Sequence, residues 1–208
     1  GVDGKFTVEE IPVPEPKEDE ALIKQELCGI CGTDVHAYWG WLPLTFPIVL
    51  GHEPVGIIEK LGDKIETDVT GLRIREGDRV YTIPGLWCGK CYACKILREP
   101  TLCENATAIG YNPFPNDPKS FRGGFADYII TDHPVQKQNN GLLLKMNAKP
   151  EEAVLAEPLC CGIHLANEVK TNPEDTVVIQ GAGAIGLSAL IALKDMATKI
   201  IVIGAPQY

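Results

Sequence analysis

Gly51-His52-Glu53-Pro54-Val55-Gly56 sets an imidazole beside a carboxylate, between a glycine that lets the chain turn and a glycine that lets it pack closely. Upstream lies Cys31, in Cys28-Gly29-Ile30-Cys31-Gly32-Thr33-Asp34-Val35-His36, and far downstream lies Glu157, in Ala156-Glu157-Pro158-Leu159. A thiolate, an imidazole and a carboxylate brought together make a zinc site with three protein ligands and one open position, the pattern of catalytic zinc. Alone, Gly-His-Glu is a common tripeptide, and a lone His is more often a hydrogen-bonded structural residue than a ligand. The rest of the chain has to decide.

A second group of ligands is more specific. Cys88, Cys91, Cys94 and Cys103 follow the spacing Cys-x2-Cys-x2-Cys-x8-Cys, which lets successive thiolates converge on one ion and a fourth close a tetrahedron. An iron–sulfur cluster is the chemical rival, but there the fourth Cys follows after three residues and precedes Pro. Here it follows after eight and precedes Glu104, which favours structural zinc. Four thiolates leave no open position, so this site holds a lobe together and does no chemistry.

A third feature is Gly181-x-Gly183-x-x-Gly186, between the apolar run Thr176–Gln180 and an apolar stretch from Leu187 to Met196. A buried strand, a Gly-rich turn and a helix place unpaired helix N–H groups under a pyrophosphate, at Gly181, Gly183, Ala184, Ile185 and Gly186. The acidic residue that commonly ends the second strand of such a unit is replaced by Gly204 and Ala205, followed by Pro206 and Gln207.

The elements that must position these residues fall into two textures. Ala21–Leu27 reads as a strand entering the Cys31 turn, and Thr33–Tyr38 as a short helix with Thr33 and His36 on one face. Pro54–Leu61 alternates like a strand, residues 63–75 like a polar hairpin or loop, and Gly77–Tyr81 like a turn and strand. Phe121–Thr131 reads as a Gly-Gly turn followed by a strand. Trp39-Gly40-Trp41-Leu42-Pro43 is an aromatic loop, either packed under a Pro turn or forming the wall of a substrate pocket. Up to about residue 140 the pattern is a β-rich barrel or sandwich. After Pro150 the pattern is helical from Glu151 to Val169, with Pro158 expected to break it, and then βαβ with a second strand at Lys199–Ile203.

Composition narrows the function classes. The 208 residues are 45% hydrophobic and 23% charged, with a net charge of −9, which argues against nucleic acid or an anionic membrane as partner. Val177–Leu193 is apolar but interrupted by Gln180 and three glycines, so a membrane span is not the expectation. No basic-then-apolar leader is visible, and four of the eight Cys fall within sixteen residues at ligand spacing. Intracellular metal binding is therefore expected rather than disulfides. The chain starts at Gly1 and stops at Tyr208 after a second nucleotide-fold strand, where a full fold has about six. A fragment of a longer protein is expected.

These motifs, in this order, resemble the zinc-containing medium-chain alcohol and polyol dehydrogenase family. The resemblance covers almost the whole chain: Cys31-Gly32-Thr33-Asp34-x-His36, Gly51-His52-Glu53-x-x-Gly56, Gly77-Asp78-Arg79-Val80, the four-Cys lobe, Glu157-Pro158-Leu159 and the Gly-rich turn. It implies a GroES-like β-barrel catalytic domain over 1–150, with a structural zinc lobe at 88–103, followed by a Rossmann NAD(P)-binding domain that begins over 151–208. It further implies catalytic zinc at Cys31, His52 and Glu157, with Glu53 beside the metal as an exchangeable ligand or its support. Glu157 is similar to the polyol, threonine and glucose dehydrogenase branches, whereas many alcohol dehydrogenases carry Cys there. Cys28, Cys160 and Cys161 are read as small buried thiols.

The resemblance also implies roles. Thr33 passes the substrate's proton toward His36, and Asp34 accepts the second N–H of His52 and fixes its tautomer. The expected protein is a cytoplasmic homo-dimer or homo-tetramer that oxidises a secondary alcohol or polyol with NAD or NADP. The competing reading is a zinc-stabilised module without catalysis, or an inactive fragment of such an enzyme.

Overall fold

The computed structural model describes residues 6–44, 47–111, 122–132, 134–197 and 199–205; Phe121, Pro206 and Gln207 lie outside them. The chain divides into two compact units, Gly1–Val154 and Leu155–Tyr208.

In the first unit, β1 (Ala21–Gly29) pairs antiparallel with β2 (Glu53–Leu61), which pairs with β3 (Arg79–Thr82). A short strand, β6 (Tyr128–Ile130), flanks β1, and β7 (Leu143–Lys145) flanks β3, giving the sheet order β6-β1-β2-β3-β7. Alternation explains the pairing face. Ala21, Ile23, Ile58, Val80 and Leu143 point to one side, where Ile65 and Ile74 from the 63–75 loop complete an apolar cluster. The register slips between Leu22 and Ile23 and between Gln25 and Leu27, and such irregularities bend and twist a strand. Gly56 sits where the ladder leaves no room: a Cβ there would lie 2.2 Å from the Lys24 carbonyl oxygen.

Between β1 and β2 runs the helix α1 (Gly32–Tyr38). Between β3 and β6 the chain leaves the sheet as a lobe. Its neck is a two-stranded ribbon, β4 (Gly85–Leu86) with β5 (Thr107–Ala108). Leu86 and Ile109 pack there with Val135 and Leu142. Val135 belongs to the short helix α2 (Pro134–Gln138). The unit closes with α3 (Pro150–Ala153), which packs on β1 and β2.

The second unit holds α4 (Ala156–Val169), β8 (Thr176–Gln180), α5 (Ala184–Leu193) and β9 (Lys199–Ile203). The strands β8 and β9 are parallel and α5 connects them, the βαβ unit read from the sequence. Pro158 does not break the helical stretch. It is the third residue of α4, in the first turn, where a helix has no use for its N–H; the interruption falls earlier, at Val154–Leu155. Gly162 of α4 is in turn required for packing on α5, since a Cβ there would lie 2.4 Å from the Ser188 carbonyl carbon. No helix among the described residues is long and apolar enough to cross a membrane.

Candidate functional site

Cys31 is the N-cap of α1, with extended backbone, and Asp34 in the first turn reaches back to accept the Cys31 N–H through Oδ2 at 2.9 Å. This is half of a capping box, with a carboxylate satisfying an orphan donor at the helix start. The other carboxylate oxygen, Oδ1, accepts the Gly51 N–H at 3.3 Å. One buried Asp thus joins the turn that carries Cys31 to the turn that carries His52. Gly51 adopts φ +95°, and a Cβ would fall 2.9 Å from Cys28 Sγ and 2.7 Å from the Phe125 ring, so no other residue fits that bend.

This convergence brings one ligand atom each from Cys31, His52 and Glu53 within 4.8 Å of one another. His52 and Glu53 are buried and Cys31 is half-buried, with His52 Nε2 3.9 Å from Glu53 Oε1. Thr33 Oγ1 is 3.6 Å from Cys31 Sγ, so its hydroxyl borders the cluster. His36 is exposed, its ring tilted against Trp41 at 5.1 Å between centroids. Trp39 and Trp41 contact each other at 4.8 Å and are both more than half exposed, so the aromatic loop is not packed under a Pro turn.

The contact expected between Asp34 and His52 is replaced. Asp34 Oδ1 is 3.7 Å from His52 Nδ1, beyond hydrogen-bond range, and the Tyr111 hydroxyl lies 2.5 Å from that nitrogen and 3.1 Å from that oxygen. Burial raises the Asp34 pKa, but His52, the Cys31 N–H and Tyr111 together bring it below the ordinary 3.8. Tyr111 moves the other way: burial first, then the Asp34 charge, keep its phenol protonated. The sequence carried no signal for Tyr111, a single tyrosine after Gly110 with no ligand spacing around it.

Cys28 is a thiol rather than a ligand. Burial, reinforced by the Asp34 and Glu53 charges, pushes its pKa up to about 12 against a backbone hydrogen bond from Glu53. Glu157 stands in the first turn of α4, where Cys161 Sγ donates to Oε1 at 3.3 Å. Cys160 is exposed and Cys161 half-buried, so neither is the buried thiol expected.

The four lobe cysteines gather as their spacing predicts, with all four sulfurs within 4.8 Å of one another. Cys91 Sγ is 3.5 Å from Cys94 Sγ and 3.9 Å from Cys103 Sγ. Zinc–thiolate bonds of about 2.3 Å give tetrahedral edges of about 3.8 Å, close to these two separations, so the cluster suits that ion. The π-helical turn Ala93–Leu97 and the 3₁₀ turn Pro100–Leu102 fold the chain back between Cys94 and Cys103. Backbone N–H groups of Lys90 and Cys91 draw the Cys88 thiol down to about 6, which prepares it to ionise, while burial and its neighbours push Cys94 up to about 12. A divalent cation removes that conflict by accepting all four thiolates.

In the second unit, Gly181 takes φ +108° at the end of β8 and donates its N–H to the Ile203 oxygen at 2.8 Å. Gly183 caps α5, and Ala184 and Ile185 form its first turn. Gly186 is obligatory here, since a Cβ would sit 1.9 Å from the Gly181 oxygen. Gly204 follows β9 beside Ala182, 3.3 Å from its Cβ if it carried one of its own. The turn is therefore open and glycine-lined at a helix N-terminus, the arrangement that accepts a pyrophosphate.

Residues 17–137 match the alcohol dehydrogenase GroES-like domain, and the chain belongs to that family. Sorbitol dehydrogenase of Bacillus subtilis is 34% identical over 203 residues, covering 96% of this chain and 52% of that protein. The 5-exo-hydroxycamphor dehydrogenase of Pseudomonas putida is 36% identical over 202 residues, covering 93% and 52%. A solved zinc-binding dehydrogenase from Sinorhizobium meliloti, bound to NADP, has a TM-score of 0.77 at 33% identity, over 96% of this chain and 53% of that one. The chain spans about half the length of the curated relatives it matches.

Proposed function

We propose that the protein is a zinc-dependent oxidoreductase that moves a hydride between a secondary alcohol or polyol and NAD(P). The observation that carries this reading is the buried meeting of Cys31, His52 and Glu53, a mixed sulfur, nitrogen and oxygen set distinct from the closed four-thiolate cage. A set of three ligands keeps a position for substrate, and four thiolates do not.

Zinc supplies a Lewis acid at such a centre, lowering the pKa of a hydroxyl, and the nicotinamide supplies the hydride acceptor. The chain's own residues do the rest. Cys31 and His52 are two of the ligands. The third is a carboxylate, with Glu53 supported by its distance from His52 and Glu157 by the family resemblance. Thr33 Oγ1 takes the substrate's hydroxyl proton as it passes its own toward His36, and the exposed His36, having gained that proton, hands one to solvent. Gly181, Gly183, Ala184, Ile185 and Gly186 receive the pyrophosphate, and Gly204 faces the adenosine ribose. Cys88, Cys91, Cys94 and Cys103 hold the second zinc for stability.

The proposal extends to a cytoplasmic enzyme acting on small molecules, as a homo-dimer or homo-tetramer. The test is metal analysis of the intact protein combined with X-ray absorption. Two zinc per chain, with an averaged shell containing nitrogen or oxygen as well as sulfur, is the expected result. A single zinc surrounded by sulfur alone refutes the catalytic centre.

A further inference from the structure

We infer that Tyr111 is a positioning residue for the metal centre, linking Asp34 to His52 and holding the imidazole as the tautomer that leaves the lone pair on Nε2. The inference rests on reading His52 as a metal ligand, and its test separates the two.

The proton count allows one arrangement. The Tyr111 hydroxyl has a single hydrogen and two close polar neighbours, His52 Nδ1 at 2.5 Å and Asp34 Oδ1 at 3.1 Å. Asp34 already accepts the N–H groups of Cys31 and Gly51, as an ionised carboxylate does, and has no proton to give. The hydrogen between phenol and carboxylate is therefore the phenol's. Its oxygen then meets Nδ1 with a lone pair, so the hydrogen in that contact comes from Nδ1–H. The reverse arrangement, with the phenol donating to Nδ1, would leave two acceptor oxygens 3.1 Å apart with no hydrogen between them. In the neutral ring that a metal ligand requires, a hydrogen on Nδ1 leaves the lone pair on Nε2, 3.9 Å from Glu53 Oε1 and on the side of the ligand cluster.

The backbone holds the phenol in this place. Gly110 adopts φ +81°, and a Cβ there would lie 2.9 Å from the Gly51 oxygen, so the segment carrying Tyr111 passes directly against the His52 turn. The Tyr111 N–H is bonded to the Ala108 oxygen at 3.2 Å, and its ring packs on the imidazole at 4.8 Å between centroids. Metal-bound His commonly gives its second N–H to a carboxylate, carbonyl or water. In this chain a phenol stands between the His and the carboxylate.

The experiment is nitrogen-15 NMR of the His52 ring in the intact, zinc-loaded protein, with the resonance identified by its loss in His52→Gln. Alongside it, zinc affinity is measured by chelator competition in wild type and Tyr111→Phe. The expected results are a protonated Nδ1 in the wild type and zinc held about 10–100-fold more weakly at this centre in Tyr111→Phe. The four-thiolate zinc should be unchanged, which shows that the variant is folded. A protonated Nε2 in the wild type overturns the inference, and this reading needs no variant. Wild-type affinity in a folded Tyr111→Phe overturns it as well. A wild type that holds one zinc yet shows Nδ1–H refutes the ligand reading while upholding the Tyr111 contact.

Discussion

Gly29 and Glu53 stand opposite one another at the end of the β1–β2 ladder, and a Cβ on Gly29 would fall 1.8 Å from a Glu53 carboxylate oxygen. The bare face of Gly29 is the space in which that carboxylate turns toward Cys31 and His52. Gly29→Ala should displace the carboxyl end of a flexible side chain while leaving the ladder paired. The expected outcome is zinc held about tenfold or more weakly at this centre, with little change in melting temperature. Chelator competition and a thermal melt on the same sample check it.

Glu53 and Glu157 are separated by substitution. Glu53→Ala should reduce zinc affinity at the centre if the neighbour of His52 is the third ligand, and Glu157→Ala if the residue implied by the family is. Zinc titration of both variants decides. Whichever residue ligates, its loss should cost at least 10-fold in affinity, by comparison with the 10–100-fold effects of merely supporting groups.

How far the sequence could be read depended on how local each signal was. The α1 turn, β8, β9 and the four-Cys cage were legible because spacing and periodicity act over a few residues. Pro158 was misread because Pro breaks a helix interior but suits a first turn, and nothing in the composition marked Val154–Leu155 as the interruption. Sheet order was not legible, since β6 and β7 reach β1 and β3 across long separations in sequence. Tyr111 was hidden for the same reason: it meets Asp34 and His52 only through tertiary folding. Asp34, by contrast, stood three residues after Cys31, the spacing of a capping box.

In Cys94→Ser one corner of the thiolate cage is lost. Because structural zinc binding is folding free energy, the melting temperature should fall and the protein should lose one of two zinc ions. Zinc counting against thermal unfolding tests the coupling. A variant with unchanged zinc and unchanged melting would remove the cage from the stability of the lobe.

Asp68 gives a stability prediction with a pH sign. It is fully buried; Oδ1 accepts Thr70 N–H at 2.8 Å, Thr70 O–H at 2.7 Å and Leu72 N–H at 3.0 Å, and Oδ2 accepts Lys145 N–H at 3.0 Å. Burial raises its pKa, but the Lys145, Thr70 and Leu72 hydrogen bonds outweigh it and hold it below the ordinary 3.8. A depressed carboxyl pKa adds stability above the unfolded value and loses it as pH falls through the folded one. Asp68→Asn should therefore cost about 1–3 kcal/mol at pH 7, and the gap should narrow below pH 3.8. Denaturant unfolding at both pH values measures it.

Cofactor choice is readable at Gly204. A carboxylate at the end of the second strand accepts the ribose hydroxyls and repels the extra phosphate of NADP, and β9 ends at Ile203 and is followed by Gly204 instead. Gly204→Asp in the intact protein should move the ratio of NADP to NAD catalytic efficiencies toward NAD, by about tenfold for each 1.4 kcal/mol of added discrimination. An unchanged ratio places the ribose elsewhere.

The central claim, that Cys31, His52 and a carboxylate form a centre for alcohol oxidation, is tested most directly by alcohol-dependent NAD(P)H formation. The zinc-loaded intact protein and its His52→Ala variant are compared across secondary alcohols and polyols. The prediction is turnover of at least one substrate by the wild type and none above background by His52→Ala, with the four-thiolate zinc retained in both. Equal rates in the two proteins, or no turnover by a wild type carrying both zinc ions and either cofactor, would contradict it.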